Sequence, residues 1–470
     1  MRTVYLLFSL WVLPFIVTAQ TISKKLETAI ATLVADNQMK NAIMSLYVVN
    51  SKTGAVVYNK NASVGLAAAS SQKVITAVTA LEVLGKDYRF KTEVGYDGTI
   101  SNETLNGNLY IVGYGDPTLG SWRYASTKGD VIMKLWMNEL KKSHITKING
   151  NIYLDDSKFS FQPIPGGWIW DDIGNYYGAG HWGLNWHENQ YDLILKPGNK
   201  EGDDVQIVRT EPELQVTTLI NQLKTGKKGS GDNAYIYLPP YSVTGFVNGT
   251  IPAGAKEFTI SGSFPNSSIQ LQQEISNALK DANIGGEFNF KSSQHSIVNK
   301  QSIPKPGQIL FTHYSPPLDS ICYWFLKKSI NLYGEALLKT MAYEKAGYGS
   351  TESGLSLVYD FWSSKGIDSN AIKMMDGSGL SPQNRITSEA FVKVMQYAKS
   401  RSWFAAFYNA LPEFNGLKMK SGTIGGAKSF TGYSKAADGT EYTFSIIINN
   451  YNGPASQIVG KMYKVLDVLK

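Results

Sequence analysis

The sequence predicts an α/β protein of two or three domains, one of which is built from both chain ends around a long β-rich insert. A helix and hairpin pattern near the start is mirrored by a hairpin and helix pattern at the end, and short strand-like runs fill the middle. The 470 residues exceed what one hydrophobic core usually supports, and 43% hydrophobic content excludes a wholly disordered chain.

The first nineteen residues have the pattern of a secretory signal peptide. Arg2 precedes an apolar run from Val4 to Val17, and small residues follow up to Ala19. The run is too short to span a bilayer well, no cysteine follows it for a lipid anchor, and no later stretch reaches 18 apolar residues. We therefore expect a mature protein that begins near Gln20, has no transmembrane anchor and works outside the cytoplasm.

The start of the mature chain contains three predicted elements. Apolar residues at helical spacing predict an amphipathic helix over 22–36, and two apolar runs separated by Asn50–Gly54 predict a hairpin over 42–58. A second helix is predicted from Ser70 to Leu84. Its apolar residues lie nearly all round, so we expect it to be buried, with the following glycine as its stop.

Between about 90 and 300, short apolar runs alternate with Gly, Pro and Asn turns, which is typical of strands. Two helices are expected within that stretch, over 216–223 and 269–282. Beyond it, helical patterns cover 318–345 and 387–400. The chain then ends with predicted strands at 417–424 and 442–449, a segment over 425–438 that contains turns, and a helix over 455–470.

These elements predict a division into domains. Residues 20–89 and 300–470 are expected to form one α/β domain, with residues 90–299 as an inserted β-rich region of one or two lobes. A nested second lobe is expected near residues 199–262. The two ends of the insert should lie close together, since the elements on either side of it belong to one domain.

Charge and metal-ligand content exclude several classes of function. The net charge of +7 comes from 45 basic and 38 acidic residues spread along the chain, and the densest basic run, Lys224–Lys228, holds only three lysines. Nucleic-acid binding needs a basic patch or a recognised module, and neither is present. Cys322 is the only cysteine, and the five histidines have no metal-ligand spacing. No metal ion is therefore predicted.

Ser70-Ser71-Gln72-Lys73 is the first candidate catalytic motif. A serine hydroxyl needs a neighbouring base, and a lysine three residues later on a helix faces it across one turn. Burial favours a neutral lysine that can accept the proton. Ser302 and Lys305 have the same spacing, but Pro304 and Pro306 forbid the helix that would align them. The alternative for Ser70 is an ordinary helix cap.

Two further motifs lie towards the end of the chain. Ser329-Ile330-Asn331, on the predicted helix over 318–345, can supply a proton relay and an amide for a substrate carbonyl; alternatively it is a surface pair. Lys420-Ser421-Gly422, followed by Thr423 on a strand, can supply a cation for a carboxylate and a close backbone approach. Similar triplets at Lys52 and Lys224 lie in a turn and a lysine-rich loop, and both are interpreted as structural.

The three motifs occur in an informative order. S-x-x-K, S-x-N and K-S-G in sequence resemble the signature of the penicillin-binding and serine β-lactamase superfamily. Ser70 and Ser329 are 259 positions apart. That spacing resembles the D-alanyl-D-alanine carboxypeptidase/endopeptidase family, the class C penicillin-binding proteins, whose insert lies between the first two motifs. Other stretches that resemble this family are Gly113–Leu119, Asp155–Ser157, Trp168–Asp172, Gly174–Tyr177, Asn331–Glu335 and Asp376–Ser381.

The resemblance implies a penicillin-binding transpeptidase-like domain, with an antiparallel sheet and flanking helices, and a serine acyl-enzyme reaction on peptidoglycan stem peptides ending in D-Ala-D-Ala. β-Lactams are implied as inhibitors, the periplasm as location, and no cofactor is needed. Ser70 would be the nucleophile, Lys73 its base, Ser329 the proton relay and Asn331 a backbone anchor. The terminal carboxylate would be bound by Lys420 together with Ser421, Gly422 and Thr423.

Substrate choice and two rival functions stay open at this stage. Asp172 matches an acidic residue expected to meet the amine of the peptide's third side chain, but Pro382 stands where several relatives have an arginine, and the nearest arginine is Arg385. The sequence leaves undecided whether carboxypeptidase or endopeptidase activity dominates, and which oligomeric state forms. The rivals are a β-lactamase and a wall-binding protein whose site has decayed.

Overall fold

A computed structural model describes residues 13–215, 217–293 and 302–470, with side chains from Thr21 onwards. Residues 1–12 of the predicted signal peptide lie outside this range, and the helix expected to begin at residue 22 begins at Leu13. Within the described parts of the chain, no helix has the length and apolar composition that crossing a bilayer requires.

Strands and helices are numbered here in chain order. The strands are β1 (Ile43–Asn50), β2 (Val56–Lys60), β3 (Lys91–Tyr96), β4 (Thr99–Ser101), β5 (Thr104–Asn106), β6 (Leu109–Gly113), β7 (Lys147–Asp155), β8 (Gln190–Lys196), β9 (Gln206–Glu211), β10 (Thr218–Gly226), β11 (Asn233–Tyr237), β12 (Thr244–Pro252), β13 (Phe258–Ser263), β14 (Gly285–Ser292), β15 (Gln308–Tyr314), β16 (Ile372–Lys373), β17 (Arg385–Ile386), β18 (Glu413–Phe414), β19 (Leu417–Ile424), β20 (Ala427–Lys435) and β21 (Glu441–Asn449). The α-helices are α1 (Leu13–Val34), α2 (Lys73–Val83), α3 (Gly129–Lys142), α4 (Trp170–Ile173), α5 (Ser267–Asp281), α6 (Leu318–Lys327), α7 (Asn331–Ala346), α8 (Thr351–Ser364), α9 (Ser388–Lys399), α10 (Phe404–Ala410) and α11 (Ala455–Leu466).

The described residues form two compact units. The first contains the chain up to Thr79 together with Cys322–Ser329 and Val358–Lys470, and the second contains Ala80–Ile321 and Ile330–Leu357. The predicted domain boundaries at residues 89 and 300, and the lobe near 199–262, stay predictions.

The first unit is built on a six-stranded antiparallel sheet in the order β18-β19-β20-β21-β1-β2. Strand β1 from the start of the chain pairs along its whole length with β21 from the end. The mirrored hairpins of the sequence therefore meet in one sheet. The predicted antiparallel sheet with flanking helices is confirmed.

One face of this sheet carries the apolar core of the first unit. Side chains alternate between the faces of a strand, so Leu46, Phe444 and Ile446 point to the same side. They pack in one buried cluster with residues of α1 and α11, among them Leu26 and Ile458. Both helices thus pack their apolar stripes on the sheet.

The opposite face is lined by hydroxyl-bearing side chains and supports the candidate site. Ser45 of β1 hydrogen-bonds Ser388 at the start of α9, with 2.5 Å between their Oγ atoms. On β20 and β21, Thr431 and Ser445 hydrogen-bond each other at 2.8 Å. Because every buried hydroxyl named here has a partner, a polar sheet face is compatible with burial.

The second unit contains three sheets. A seven-stranded mixed sheet has the path β15-β3-β6-β7-β5-β4, with β14 also paired to β7. Helices α3 and α5 share an apolar core with it. Two three-stranded sheets, β13-β8-β9 and β10-β12-β11, enclose a second core. The expectation of a β-rich middle is therefore confirmed.

One sequence prediction about local structure is wrong, and two elements were not predicted. The helix expected over 216–223 is strand β10, because it pairs in parallel with β12 over nine residues and this tertiary pairing overrides the local pattern. Turns are present at 425–426 and 437–438 as expected, but strand β20 between them was not predicted, and it pairs on both sides. Helix α3 was not predicted, although Ile132, Trp136 and Leu140 have helical spacing and are buried.

The single helix expected over 318–345 is two helices, α6 and α7. The break falls at Ser329, whose φ of +57° is a left-handed conformation that a non-glycine residue rarely adopts. The second candidate motif is consequently not on a continuous helix. Ser329 lies in the break, and Asn331 is the first residue of α7.

The stability of the first unit should depend on the central strand β21. Ile446→Ala removes a fully buried side chain next to the β1 pairing and should cost about 2–5 kcal/mol of unfolding free energy. Val56→Ala on the edge strand β2, where the side chain is 56% exposed, should cost less than about 0.5 kcal/mol. Urea denaturation followed by tryptophan fluorescence measures both, and equal midpoints would contradict this assignment of the core.

Candidate active site

Ser70 lies on a strained turn just before a buried helix. Residues Ala69–Gln72 form one 3₁₀ turn, and α2 begins at Lys73. Ala69 has a φ of +47°, a left-handed conformation that costs an alanine about 1–2 kcal/mol. Strained residues of this kind persist where the surroundings impose them, and they concentrate at active sites. The turn leaves Ser70 half-buried, while Lys73 is fully buried.

Lys73 contacts the candidate nucleophile directly. Its Nζ donates to Oγ of Ser70 at 2.9 Å and to the carbonyl oxygen of Ser378 at 2.6 Å. The ring centroid of Phe325, on α6, lies 5.9 Å from the same nitrogen. The amine is therefore oriented from two sides within hydrogen-bond reach of the hydroxyl, which is the geometry that proton transfer requires.

The loop that presents the Ser378 carbonyl is organised by Asp376. The buried Asp376 carboxylate accepts the backbone N–H groups of Gly379 at 2.8 Å and Ser381 at 2.7 Å. It also accepts the side-chain amides of Gln72 and Asn384, each at 3.0 Å. Sequence reasoning used this stretch only as a family resemblance and missed its structural function, which is to hold one partner of Lys73.

Strand β19 approaches the Ser70 turn very closely. Gly422 has no side chain, and a Cβ there would overlap the carbonyl oxygen of Ala68 and lie 2.8 Å from the backbone nitrogen of Ser71. Hydroxyls join the two segments: Ser71 Oγ donates to the Lys420 carbonyl at 3.1 Å, and Ser429 Oγ donates to the Ala68 carbonyl at 2.6 Å. The glycine of the third motif is thus required by sterics, as its sequence context suggested.

Three lysines lie close enough together in the site to affect one another's charge. Lys420 is 2% exposed, and burial, followed by the positive charges of Lys73 and Lys428, holds its pKa well below the usual range. Burial also lowers the pKa of Lys428, whose Nζ donates to Oγ1 of Thr423 at 2.6 Å. An anion arriving here would stabilise the charged lysines. Sequence reasoning missed Lys428, because only the hairpin pairing of β19 with β20 brings it beside Thr423.

The other residues of the third motif lie along β19. Side chains alternate in a strand, so Ser421 and Thr423 point to the face opposite that of Lys420 and Gly422. Ser421 is half-buried and its carbonyl accepts Lys420 Nζ at 2.9 Å, while Thr423 is exposed. The hydroxyls of the motif are consequently closer to solvent than its lysine.

The structure describes Asn331 and Asp172 within the second unit. The side-chain amide of Asn331 donates to the carbonyl oxygen of Tyr177 at 2.7 Å. Asp172 lies five residues before Tyr177, and its pKa is raised to about 6, mainly by burial and further by the negative charge of Asp171. A carboxylate with this environment is stabilised by a cationic partner.

The competing motifs do not form comparable sites. Residues 302–306 contain no helix, so Ser302 and Lys305 lack the turn that would align them. Lys224 is an exposed residue of β10 that forms an ion pair with Asp204 at 2.6 Å. Arg385 donates to the backbone carbonyl of Pro382 at 2.6 Å, so its described contacts are local.

In the first unit, the structure brings together Ser70, Lys73 and the backbone and lysine of Lys420–Thr423. Ser329 belongs to the same unit and has a left-handed backbone conformation. A hydroxyl with an adjacent buried amine, beside a second buried lysine, is the arrangement of a covalent serine hydrolase. The fold and this site therefore define a serine acyl-enzyme of the penicillin-binding type.

Comparisons with known proteins agree with this class. The sequence profile of the D-Ala-D-Ala carboxypeptidase 3 (S13) family matches residues 26–413. A D-alanyl-D-alanine carboxypeptidase from Actinomadura sp. (strain R39) is 27% identical over 462 residues, covering 92% of this chain and 82% of the relative. The D-alanyl-D-alanine carboxypeptidase DacB of Haemophilus influenzae is 27% identical over 418 residues, covering 84% of this chain and 83% of the relative.

A solved structure shows the same fold. Penicillin binding protein 4 (dacB) from Haemophilus influenzae has a TM-score of 0.78 at 23% identity, over 96% of this chain and 98% of that one. The chain belongs to the D-Ala-D-Ala carboxypeptidase (S13) family, and it is a serine-type hydrolase of that family. The profile ends at residue 413, so the Lys420–Thr423 stretch lies beyond it.

The close approach at Gly422 leads to a sharp mutational test. Gly422→Ala should reduce acylation by penicillin at least about 100-fold, because the new methyl group pushes β19 away from the Ser70 turn. Gly425→Ala in the same hairpin is the matched control, since nothing lies within 4 Å of a Cβ at that position. Stopped-flow labelling with a fluorescent penicillin measures both. Equal rates for the two variants would show that the contact is unimportant for the site.

Proposed function

We propose that this enzyme hydrolyses peptidoglycan stem peptides ending in D-Ala-D-Ala through an acyl-enzyme on Ser70, and that it does so in the periplasm. The observation that carries the proposal is the 2.9 Å hydrogen bond between Lys73 Nζ and Ser70 Oγ, with the amine fully buried. The signal-peptide pattern of the first nineteen residues supports the location.

Acylation begins with the neutral amine of Lys73. It accepts the hydroxyl proton of Ser70 as Oγ attacks the carbonyl carbon of the penultimate D-Ala. The backbone N–H groups of Ser70 and Thr423 stabilise the negative oxygen of the tetrahedral intermediate. In a well-studied protease, one such donor contributes about 3–4 kcal/mol.

Collapse of this intermediate breaks the peptide bond. Ser329 relays a proton to the leaving amine of the terminal D-Ala, and Asn331 anchors the peptide backbone. The terminal carboxylate binds to Lys420 with the hydroxyls of Ser421 and Thr423, while Gly422 keeps the strand close. Water then hydrolyses the ester on Ser70 and restores the free enzyme.

The buried lysines favour a substrate with a free carboxylate. Burial and the neighbouring charges lower the pKa of Lys420, so the empty site stabilises its charged form poorly. A carboxylate restores that stabilisation. β-Lactams also carry a carboxylate and a reactive carbonyl, so they are expected to acylate Ser70 in the same way.

The nucleophile is tested by covalent labelling. A fluorescent penicillin should label the wild-type enzyme in a stable adduct, Ser70→Ala should abolish labelling, and peptide mapping should place the adduct on Ser70. Ser302→Ala is the matched control and should label normally, since that serine lacks an aligned lysine. Rapid turnover of the label would indicate a β-lactamase, and absence of labelling would indicate a decayed site; either result overturns the proposal.

Substrate choice is tested with defined peptides. Asp172 should favour stem peptides whose third residue has a free side-chain amine. Burial and the charge of Asp171 raise the pKa of its half-buried carboxylate to about 6, so a cationic substrate group would stabilise the charged form. Protonation removes the negative charge, so the preference for lysine or diaminopimelate over alanine should be present at pH 7.5 and decline as the pH falls through 6.

The measurement is kcat/KM for the three peptides between pH 5 and 8, in wild type and Asp172→Ala. The variant should lose roughly tenfold on the amine-bearing peptides and little on the alanine peptide. Asp171→Ala is the control for a neighbouring carboxylate. An unchanged ranking in Asp172→Ala would refute the side-chain site.

Digestion of muropeptide monomers beside cross-linked dimers determines the balance between carboxypeptidase and endopeptidase activity.

A further inference from the structure

A buried carboxylate in the second unit has no place in the reaction described so far. Glu188 is fully buried, and its Oε1 accepts three hydrogen bonds: from Ser121 Oγ at 2.7 Å, Arg123 Nε at 2.8 Å and the hydroxyl of Tyr333 at 2.8 Å. Oε2 accepts Arg123 Nη2 at 3.0 Å. The two-point contact with arginine fixes the plane of the carboxylate as well as its position.

The backbone around Glu188 is held in an unusual conformation. His187, Glu188 and Asn189 all have positive φ, at 52°, 51° and 55°. The side chain of Asn189 stabilises this bend: its Oδ1 accepts the backbone N–H of Trp186 at 2.9 Å, and its Nδ2 donates to the Gly180 carbonyl at 2.8 Å. Three successive left-handed residues are unfavourable, and such conformations are typical of sites where a side chain must be aimed precisely in one direction.

Tyr333 connects Glu188 to the second motif. It is fully buried in the first turn of α7, two residues after Asn331. Successive residues of an α-helix are rotated by about 100°, so these two side chains leave the helix on nearly opposite sides. Asn331 is bonded to the Tyr177 carbonyl and Tyr333 to Glu188, and this pair of contacts prevents the turn from rotating about the helix axis.

We propose that Glu188 is a positioning residue for the reaction: through Tyr333 it fixes the first turn of α7, and with it the amide of Asn331. The inference rests on the proposed role of Asn331 as the anchor of the substrate backbone. A buried ion pair is by itself a weak source of stability, whereas it is effective in selecting one arrangement of the groups around it. Here the groups held in one arrangement include the first turn of α7, which carries Asn331.

Tyr333→Phe is the cleanest test, because it removes one hydrogen bond and leaves the Arg123–Glu188 pair intact. Tyr191→Phe is the matched control: Tyr191 is also a buried tyrosine of the second unit, and its hydroxyl has no hydrogen-bond partner among the described residues. Tyr333→Phe should lower the limiting rate of acylation by a fluorescent penicillin about 10- to 100-fold, with less than a threefold change in the dissociation constant of the preceding complex.

The limiting rate is read from stopped-flow traces, so an unfolded fraction reduces the amplitude and leaves the rate constant unchanged. Glu188→Gln should slow acylation as well, and the double variant should be no slower than the slower single variant, because both changes act through one contact. Wild-type acylation rates in Tyr333→Phe, or equal slowing in Tyr191→Phe, would overturn the inference. Failure of the proposed function would give a different result: the wild-type enzyme would not be labelled, or the Ser70→Ala variant would still be labelled.

Discussion

The close contact between strand β19 and the Ser70 turn is the constraint on which the candidate site depends. It requires a residue without a side chain at Gly422, because the backbone of Ala68 and Ser71 occupies the space where a Cβ would lie. Hydroxyls of Ser71 and Ser429 then satisfy the backbone groups that the contact buries. Lys73 and Lys420 are far apart in the chain, yet the charge of Lys73 helps to lower the pKa of Lys420.

That proximity explains the chemistry of the site. Buried amines are costly to charge, and burial together with like charges lowers the pKa of Lys420. The same conditions favour an arriving anion, which would stabilise the charged form of Lys420. The electrostatics of the candidate site therefore depend on one property, which is the exclusion of water around Lys73 and Lys420.

In the second unit, hydrogen bonds fix the first turn of α7. Its polar residues are arranged around the first turn of α7, where Asn331 and Tyr333 are each held by a hydrogen bond from a separate segment. Glu188 is oriented by a strained backbone and by Arg123, which lies 65 positions earlier in the chain, so local sequence does not reveal this contact. A long insertion between the first two motifs can thus support the second motif.

Local sequence patterns determined a large part of the fold and the identity of the motif residues. The hairpin β1–β2, the strands β19 and β21 and helix α9 follow from apolar periodicity, which acts between neighbours in the chain. The spacing of Ser70 and Lys73 likewise needs only one turn of helix. Such features depend on short-range geometry, so the sequence alone is sufficient to predict them.

Only the tertiary structure decided the rest. Strand β10 has a helical pattern but pairs in parallel with β12, and the helix expected across Ser329 is broken there. The partners Ser378, Lys428 and Glu188 are brought to their sites by loop folding, strand pairing and a left-handed bend. Each of these features depends on contacts between distant parts of the chain. The free energy of such contacts exceeds the local preference of a segment for helix or strand, so no local sequence pattern predicts them.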